Sequence, residues 1–337
     1  MLVFPALKRE SAAGFRCPSC GASGFAVTAQ ESDEREIREG ALACGGCGRS
    51  FPVRKGIVDF LPAPTAEIEA EIRGWHEMAG DLWDGQIPSM MSLPYYPEGE
   101  WPNLAPDFFQ VFEEIDFRGK RVLDIGAGRT WSTRFLAALG KAKDVVALDI
   151  LTTRFLGMET AEIFFKEDKI FFERLRGDIH DIPLRDGWAD VVFSAASLHH
   201  SSDLPRLFAE VRRVLVPGGS FVFVSEPNKK ASIPESHPDN DETRHGINEH
   251  IYAYEEYVKP LRRLGFRLRR LAPRSIRFRL LHGDPELLGG LPPSLRRLAG
   301  SARGRDLLMR LIAWPVSGPL VYRYASLPLS LVATKPG

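Results

Sequence analysis

Residues 121–131 read RVLDIGAGRTW. A short apolar run, an acid and two glycines one residue apart describe a strand that ends in a tight bend. A dinucleotide-binding bend goes on to a third glycine, Gly-x-Gly-x-x-Gly, which lets helix and strand pack closely behind a pyrophosphate. Here that position is Trp131, whose indole argues against a pyrophosphate cradle. Asp124 precedes the first glycine, where it repels phosphate and suits an ammonium group. The bend therefore reads as the holder of a ligand with an amine and no phosphate.

Outward from this stretch, apolar runs alternate with helical ones. Strands are expected over 121–126, 144–150, 170–178, 189–200 and 218–227, and helices over 130–139, 153–166 and the SSDLPRLFAEVRRVL stretch. That last helix starts at Ser or Asp and sets Leu204, Leu207, Phe208, Val211 and Leu215 on one face. Val216-Pro-Gly-Gly219 gives an abrupt return into the fifth strand. Strands separated by single helices require right-handed crossovers, hence a parallel sheet covered on both faces. Ligands of such sheets sit at the carboxyl ends of the strands. Asp149 ends the second strand and suits paired ribose hydroxyls; Asp178 follows the third and suits an adenine amino group. With Asp124, three acids fall at the carboxyl ends of consecutive strands. S-adenosylmethionine, with its amine, carboxylate, sulfonium and ribose-adenine, fits that set.

VLDIGAG, VVALDI, GDIHDIPLRDGWADVVFSAASLHH and LFAEVRRVLVPGGSFVFVSEP together resemble a class I S-adenosylmethionine-dependent methyltransferase of the methyltransferase-11/ubiquinone-methylase type, tightly over 121–227. The resemblance implies an α/β, Rossmann-like, seven-stranded and mostly parallel sheet. It carries the acidic first motif onto Asp124, Gly126 and Gly128, the ribose acid onto Asp149 beside Ile150, and the adenine pair onto Asp178 and Ile179. The backbone from Ser194 and Ala195 to Leu198 then meets the methionine portion. The family's third glycine often falls at Thr130, where a threonine would cap the helix and bond the ligand carboxylate. An antiparallel hairpin is implied at the sheet's end, with strand six within 264–280 and strand seven over 330–335. The body is thus 119–337, with a lid loop over 228–256 and an insertion over 283–327 that extends the core, forms a dimer face or touches a greasy substrate.

Before the body come CPSC (Cys17, Cys20) and CGGC (Cys44, Cys47), separated by 23 residues. Two CxxC turns offer four thiolates to one tetrahedral Zn²⁺, and four cysteines leave no open position, so the ion is structural. Residues 1–62 form this zinc ribbon, which is too small for a core of its own and needs the metal to fold. The following GRSFPVRKGIVDFLP makes it resemble the ribbon of the partner protein that activates tRNA and protein methyltransferases. That implies a docking module, toward the body in cis or toward a partner protein. Residues 63–118 read as a linker and cap: AEIEAEIRGWHEM suits a short helix with Ile68, Ile72 and Trp75 on one face, and the many prolines of 81–107 forbid long helix or strand.

The chain has 337 residues and a formal net charge of zero, so bulk charge gives no argument for nucleic acid. Its four cysteines, a start with only seven apolar residues and no span of eighteen apolar residues set the expectation of a cytoplasmic protein without a membrane span. Residues 259–279 carry nine Lys/Arg and no acid, fitting an edge strand with a solvated basic face or a site for an anionic substrate. Methyl transfer needs a base only if the nucleophile carries a proton. Candidates after the fourth and fifth strands are His199, His200, Glu226, His237, His245, Glu249, His250 and Tyr252. The expected reaction is methyl transfer to a small molecule, anionic or partly apolar. An RNA methyltransferase, less favoured by the neutral charge, and an inactive partner-binding protein are the alternatives.

Overall fold

The computed structural model describes residues 9–33, 35–80, 84–97, 101–234 and 238–337. Four short strands come first: β1 (Phe25–Ser32), β2 (Ile37–Cys44), β3 (Ser50–Arg54) and β4 (Ile57–Asp59), each antiparallel to the next. Lys55 and Gly56 join β3 to β4 with φ of 50° and 74°, a two-residue turn whose twist suits a hairpin. Three helices follow: α1 (Ala66–Ala79), α2 (Ile87–Ser92) and α3 (Trp101–Glu114). Thr65 caps α1 by accepting from the Ile68 N–H.

The body then runs β5 (Arg121–Ile125), α4 (Trp131–Ala138), β6 (Asp144–Asp149), α5 (Ala161–Glu167), β7 (Glu173–Arg176), β8 (Ala189–Ala195), α6 (Leu204–Val214) and β9 (Leu215–Glu226). Beyond lie α7 (Asp241–Arg244), α8 (Tyr254–Arg263), β10 (Arg267–Leu271), α9 (Arg274–Leu281), α10 (Pro285–Gly290), α11 (Pro293–Ala299), α12 (Ala302–Ala313), α13 (Ser317–Tyr324) and β11 (Leu329–Thr334). One sheet runs through the molecule in the order β1-β2-β3-β4-β7-β6-β5-β8-β9-β11-β10. From β7 to β10 it is the expected seven-stranded Rossmann-like sheet, with β11 antiparallel to both neighbours. The chain winds outward from β5 to β7 and then jumps back to β8 on the other side of β5. The switch point therefore lies between β5 and β8, directly after the glycine bend.

The ribbon adds four strands to the expected seven because β4 lies parallel to β7 in register, Ile57 against Arg174 and Asp59 against Arg176. Ribbon and body share one core: Phe15, Phe51, Val58 and Phe60 belong to the same apolar cluster as Leu123, Val146 and Leu175. The seam also holds a fully buried cation. Arg174, 0% exposed in its side chain, donates to both oxygens of Glu36 (3.0 and 3.1 Å) and to the Lys55 carbonyl (2.7 Å), and pairs with Glu162 (2.9 Å). Arg176 bonds Asp59 of β4 (2.9 Å) and the Ile150 carbonyl (3.2 Å), linking the ribbon to the end of β6.

Two expectations need correction, for 101–107 and for the second body helix, and two are refined. The proline-rich 101–107 stretch opens the 14-residue α3. Pro102 occupies the first turn, where its missing N–H is no loss, and Pro106 forfeits a single helical bond. The 264–280 stretch splits at Pro273 into β10 and α9. The second body helix begins only at Ala161, because 151–157 fold back through Gly157, packed against the Leu151 carbonyl. Of the paired glycines, Gly218 alone has positive φ, and the strand pairing resumes after it with a register shift.

Candidate functional site

A cavity of about 920 Å³ opens at the carboxyl ends of β5, β6, β8 and β9. Its first wall is the glycine bend. Gly126 and Gly128 have φ of 64° and 48°, and a Cβ on Gly126 would meet Ser197 Oγ at 2.3 Å, so the bend approaches the end of β8 more closely than a side chain permits. Asp149 closes the bend: Gly128 N–H donates to one oxygen and Leu151 N–H to the other, both at 2.7 Å. Asp149 is 8% exposed, and burial raises its pKa against these backbone donors. Asp149, Ile150, Asp178, Ile179 and Ala195 all line the cavity. Asp178 accepts from the backbone N–H of His180 and contacts its Nδ1, both at 2.8 Å. Burial works against its ionised form, but His180 outweighs it and its pKa is lowered.

Three expected residues sit elsewhere. Asp124 is buried behind the wall and does not line the cavity; it accepts from Ser132 Oγ (2.7 Å) and Thr133 Oγ1 (2.6 Å), tying the first turn of α4 to β5. Burial, opposed by those hydroxyls, pushes its pKa up to about 7. Thr130 adopts the left-handed conformation (φ 59°, ψ 20°), which explains why a glycine suits this position, and its hydroxyl donates to the Arg129 carbonyl instead of capping α4. Ser194 is buried and bonds Ser197 Oγ at 2.7 Å. Trp131 opens α4, with its indole edge-on to Phe108 and Trp101 of α3.

After β8 the chain turns through Ser197–His200. Glu226, 0% exposed at the end of β9, clamps that turn. It accepts from the N–H groups of Ser197 and Leu198 (2.9 Å each) and His199 (3.2 Å), and from His199 Nδ1 (3.0 Å). Glu226 lies outside the cavity lining, whereas His199 and His200 are part of it. His200 Nδ1 lies 2.7 Å from the Asn248 carbonyl, and burial, then the neighbouring His199, pushes its pKa down to about 3. His245 is exposed, with Nδ1 bonded to the Asp241 carbonyl; His250 stacks on Tyr252; neither lines the cavity. His237 lies outside the described residues.

The second wall holds residues that sequence reasoning missed. From α1 come Glu67 and Glu71, which the apolar-face reading passed over, beside Ile68 and Trp75 of that face. Burial first, then Asp149, raises the Glu71 pKa to about 8. From beyond β9 come Asn228 and Lys229, and from the insertion Ser326 and Leu327. Much of the basic run is bound to acids of the fold: Arg269 to Glu114 (2.6 Å), Arg274 to Glu113, Arg277 to Asp306 (3.4 Å) and Arg279 to Asp284 (2.9 Å).

Away from the cavity, the four cysteine sulfurs lie within 4.8 Å of one another, with Cys17–Cys47 at 3.8 Å and Cys20–Cys44 at 3.6 Å. A tetrahedron of ~2.3 Å Zn–S bonds has edges of about 3.8 Å. Gly46 N–H donates to Cys44 Sγ at 3.4 Å. Backbone hydrogen bonds, that from Cys47 first, hold the Cys44 thiol down to about 7. Cys20 is pushed up to about 12: the Ala22 backbone lowers it, but burial and the three other sulfurs outweigh that. Such a set accommodates a dication.

Residues 123–223 match the model of the methyltransferase domain family. An uncharacterized chloroplastic methyltransferase of Arabidopsis thaliana is 25% identical over 252 residues, 68% of this chain and 66% of that protein. A malonyl-acyl-carrier-protein O-methyltransferase of Chlorobium phaeovibrioides is 37% identical over 105 residues, 31% of this chain and 40% of that one. This chain thus covers less than two thirds of either relative. The solved structure of phosphoethanolamine N-methyltransferase 2 from Haemonchus contortus with S-adenosyl-L-methionine shares the fold, with a TM-score of 0.50 and 18% identity, covering 86% of this chain and 62% of that one. No helix among the described residues is long and apolar enough to cross a membrane.

Proposed function

We propose that this chain, which carries a methyltransferase domain over residues 123–223, binds S-adenosylmethionine and transfers its methyl group to a small-molecule acceptor. The observation that carries the reading is Asp149, a carboxylate at the tip of β6 that closes the glycine bend and lines the same cavity as Asp178. The residues present fit the cofactor. Asp149 uses one acceptor site per oxygen on the backbone and keeps others for ribose hydroxyls. Asp178 and Ile179 flank the adenine position, and Gly128, around which nothing lies within 4 Å of a built Cβ, leaves the bend open. One relative named above is a malonyl-acyl-carrier-protein O-methyltransferase, whose acceptor is a small acyl group on a carrier, and this favours a small acceptor here.

When bound, S-adenosylmethionine supplies an electrophilic methyl group. The chain's own work is to hold, orient and dry the reactants. α1 roofs the cavity with Glu71 and Trp75. Asp124 acts from behind the wall as a positioning residue through α4. His199 is the group suited to take a proton from an acceptor. Its Nδ1 lies 3.0 Å from Glu226, and in the tautomer that donates Nδ1–H to that carboxylate Nε2 is the basic nitrogen. Glu226, which meets the turn and not the cavity, serves as its positioning residue. Cys17, Cys20, Cys44 and Cys47 would hold a structural Zn²⁺ and so stabilise the ribbon.

Methyl-labelled S-adenosylmethionine, incubated with the purified protein and cell extract, tests this. We expect label in the small-molecule fraction. RNase-sensitive label would point instead to RNA, and cofactor binding without any transfer to an inactive protein. Metal analysis should return one zinc per chain.

A further inference from the structure

Lys229 stands three residues beyond Glu226, in the segment that carries the chain past the end of β9 along the cavity. It is 5% exposed. Its backbone is fixed, with its N–H donated to the Tyr252 carbonyl at 3.1 Å and a bridge to Ala253. Asn228 beside it donates to the Tyr322 and Ala325 carbonyls, both at 3.1 Å, which anchors the segment to α13. The lysine is thus built into place and is not a loose surface side chain.

Among the described residues its ammonium has no hydrogen-bond or ion-pair partner. Other cations at the cavity are differently placed. Arg279 is held by Asp284 and Glu286, and Arg206 donates to the His180 carbonyl. The lining mixes apolar groups such as Ile233, Leu327 and Pro328 with acids such as Glu71, Asp149 and Asp178, none of which bonds Lys229. An ammonium left unpaired at the wall of a cavity is available to an anion that enters it.

We propose that Lys229 anchors a carboxylate or phosphate on the methyl acceptor, so that the acceptor is a small anion with its nucleophile directed toward His199. The proposal rests on the methyl-transfer reading and narrows its substrate class. An ion pair with Lys229 would both bind the anion and orient it.

The test titrates acetate, malonate and inorganic phosphate, with methyl acetate as the neutral control, into the protein with and without saturating S-adenosylhomocysteine. Binding is read by calorimetry or ligand-observed NMR. At least one anion should bind, and Lys229→Met, which keeps the length of the side chain, should weaken it about tenfold or more. Lys229→Arg should retain binding, and methyl acetate should ignore all three proteins. Preference for acetate and malonate over phosphate identifies a carboxylate acceptor; the reverse identifies a phosphate. Absence of anion binding by the wild type, or equal binding by Lys229→Met, overturns the assignment. S-adenosylhomocysteine affinity is read in the same runs. Its absence sinks the cofactor reading, whereas its presence beside anion indifference sinks only the role of Lys229. Should Lys229→Met fail to fold, reductive methylation of the wild type gives a second readout: the anion should protect Lys229, and unprotected labelling overturns the proposal.

Discussion

The two walls of the cavity are built in different ways. The first comes from consecutive strand ends, 126–128, 149–151, 178–180 and 195–200, whose order in space follows from their order in the chain. The second is gathered from α1, the segment after β9, and the tail of the insertion, which lie more than ninety residues apart in sequence. A strand end that carries an acid announces its place, because the sheet topology puts it there. A helix that roofs a cavity does not, because only tertiary packing brings it over.

If that contrast is right, the first wall should be intolerant. Asp149→Ala removes the acceptor of two 2.7 Å backbone bonds and leaves Gly128 and Leu151 N–H groups unpaired. Hydrogen bonds to a charged group contribute about 1.5–3 kcal/mol each, so S-adenosylmethionine affinity should fall on the order of 100-fold or more by calorimetry. Unchanged affinity would move the cofactor away from β6.

The same contrast sets what was legible. The five parallel body strands, the glycine bend and the strand-end positions of Asp149 and Asp178 could be read because period, turn residues and topology agree, whereas the closing hairpin rested on the family resemblance. Asp124 was read as a strand-end acid, but its serine and threonine partners at 132 and 133 turn it inward to α4. Glu71 was hidden on an α1 face defined by its apolar residues. Lys229 lay in a loop whose histidines drew attention first. That β4 pairs with β7 had no local signal, since an edge strand and its neighbour across a seam share no sequence proximity.

That seam supports the first wall. Arg176 joins Asp59 of the ribbon to the Ile150 carbonyl beside Asp149, and Glu36 neutralises the buried Arg174. Glu36→Ala leaves Arg174 with Glu162 and the Lys55 and Met158 carbonyls. Breaking one partner of a buried pair costs about 3–5 kcal/mol, so a loss near the lower end is expected in denaturant unfolding. A negligible change would mean that the ribbon sits on the body without bracing it.

The second wall should respond more mildly. At Gly74, in mid-α1, a Cβ would meet the His245 carbonyl oxygen at 2.5 Å and Ile247 Cγ1 at 2.8 Å. Gly74→Ala gains helix propensity of about 1 kcal/mol but overpacks a backbone contact at a cost of about 1–3 kcal/mol. The net should be a small drop in Tm, with S-adenosylhomocysteine bound a few-fold more weakly as α1 shifts. A rise in Tm at unchanged affinity would show that α1 is not clasped by the 245–247 turn.

The smallest effect probes where the walls face each other. Glu71 on α1 has its pKa raised from 4.5 to about 8, first by burial and next by Asp149, against a hydrogen bond from Trp75. In the ligand-free protein the folded state therefore holds a proton on Glu71 that the unfolded chain releases above pH ~4.5. Its contribution to stability is fully present below that pH and is lost as pH rises through about 8. Asp124, raised to about 7, adds a decline of the same sign, so the wild-type slope alone does not isolate Glu71. The difference from Glu71→Gln does. Tm curves of the two proteins should run together at low pH and separate as pH rises toward 8, the variant falling less. Curves that stay parallel would mean that the charge on α1 does not meet the charge of the strand ends, and that the two walls titrate independently.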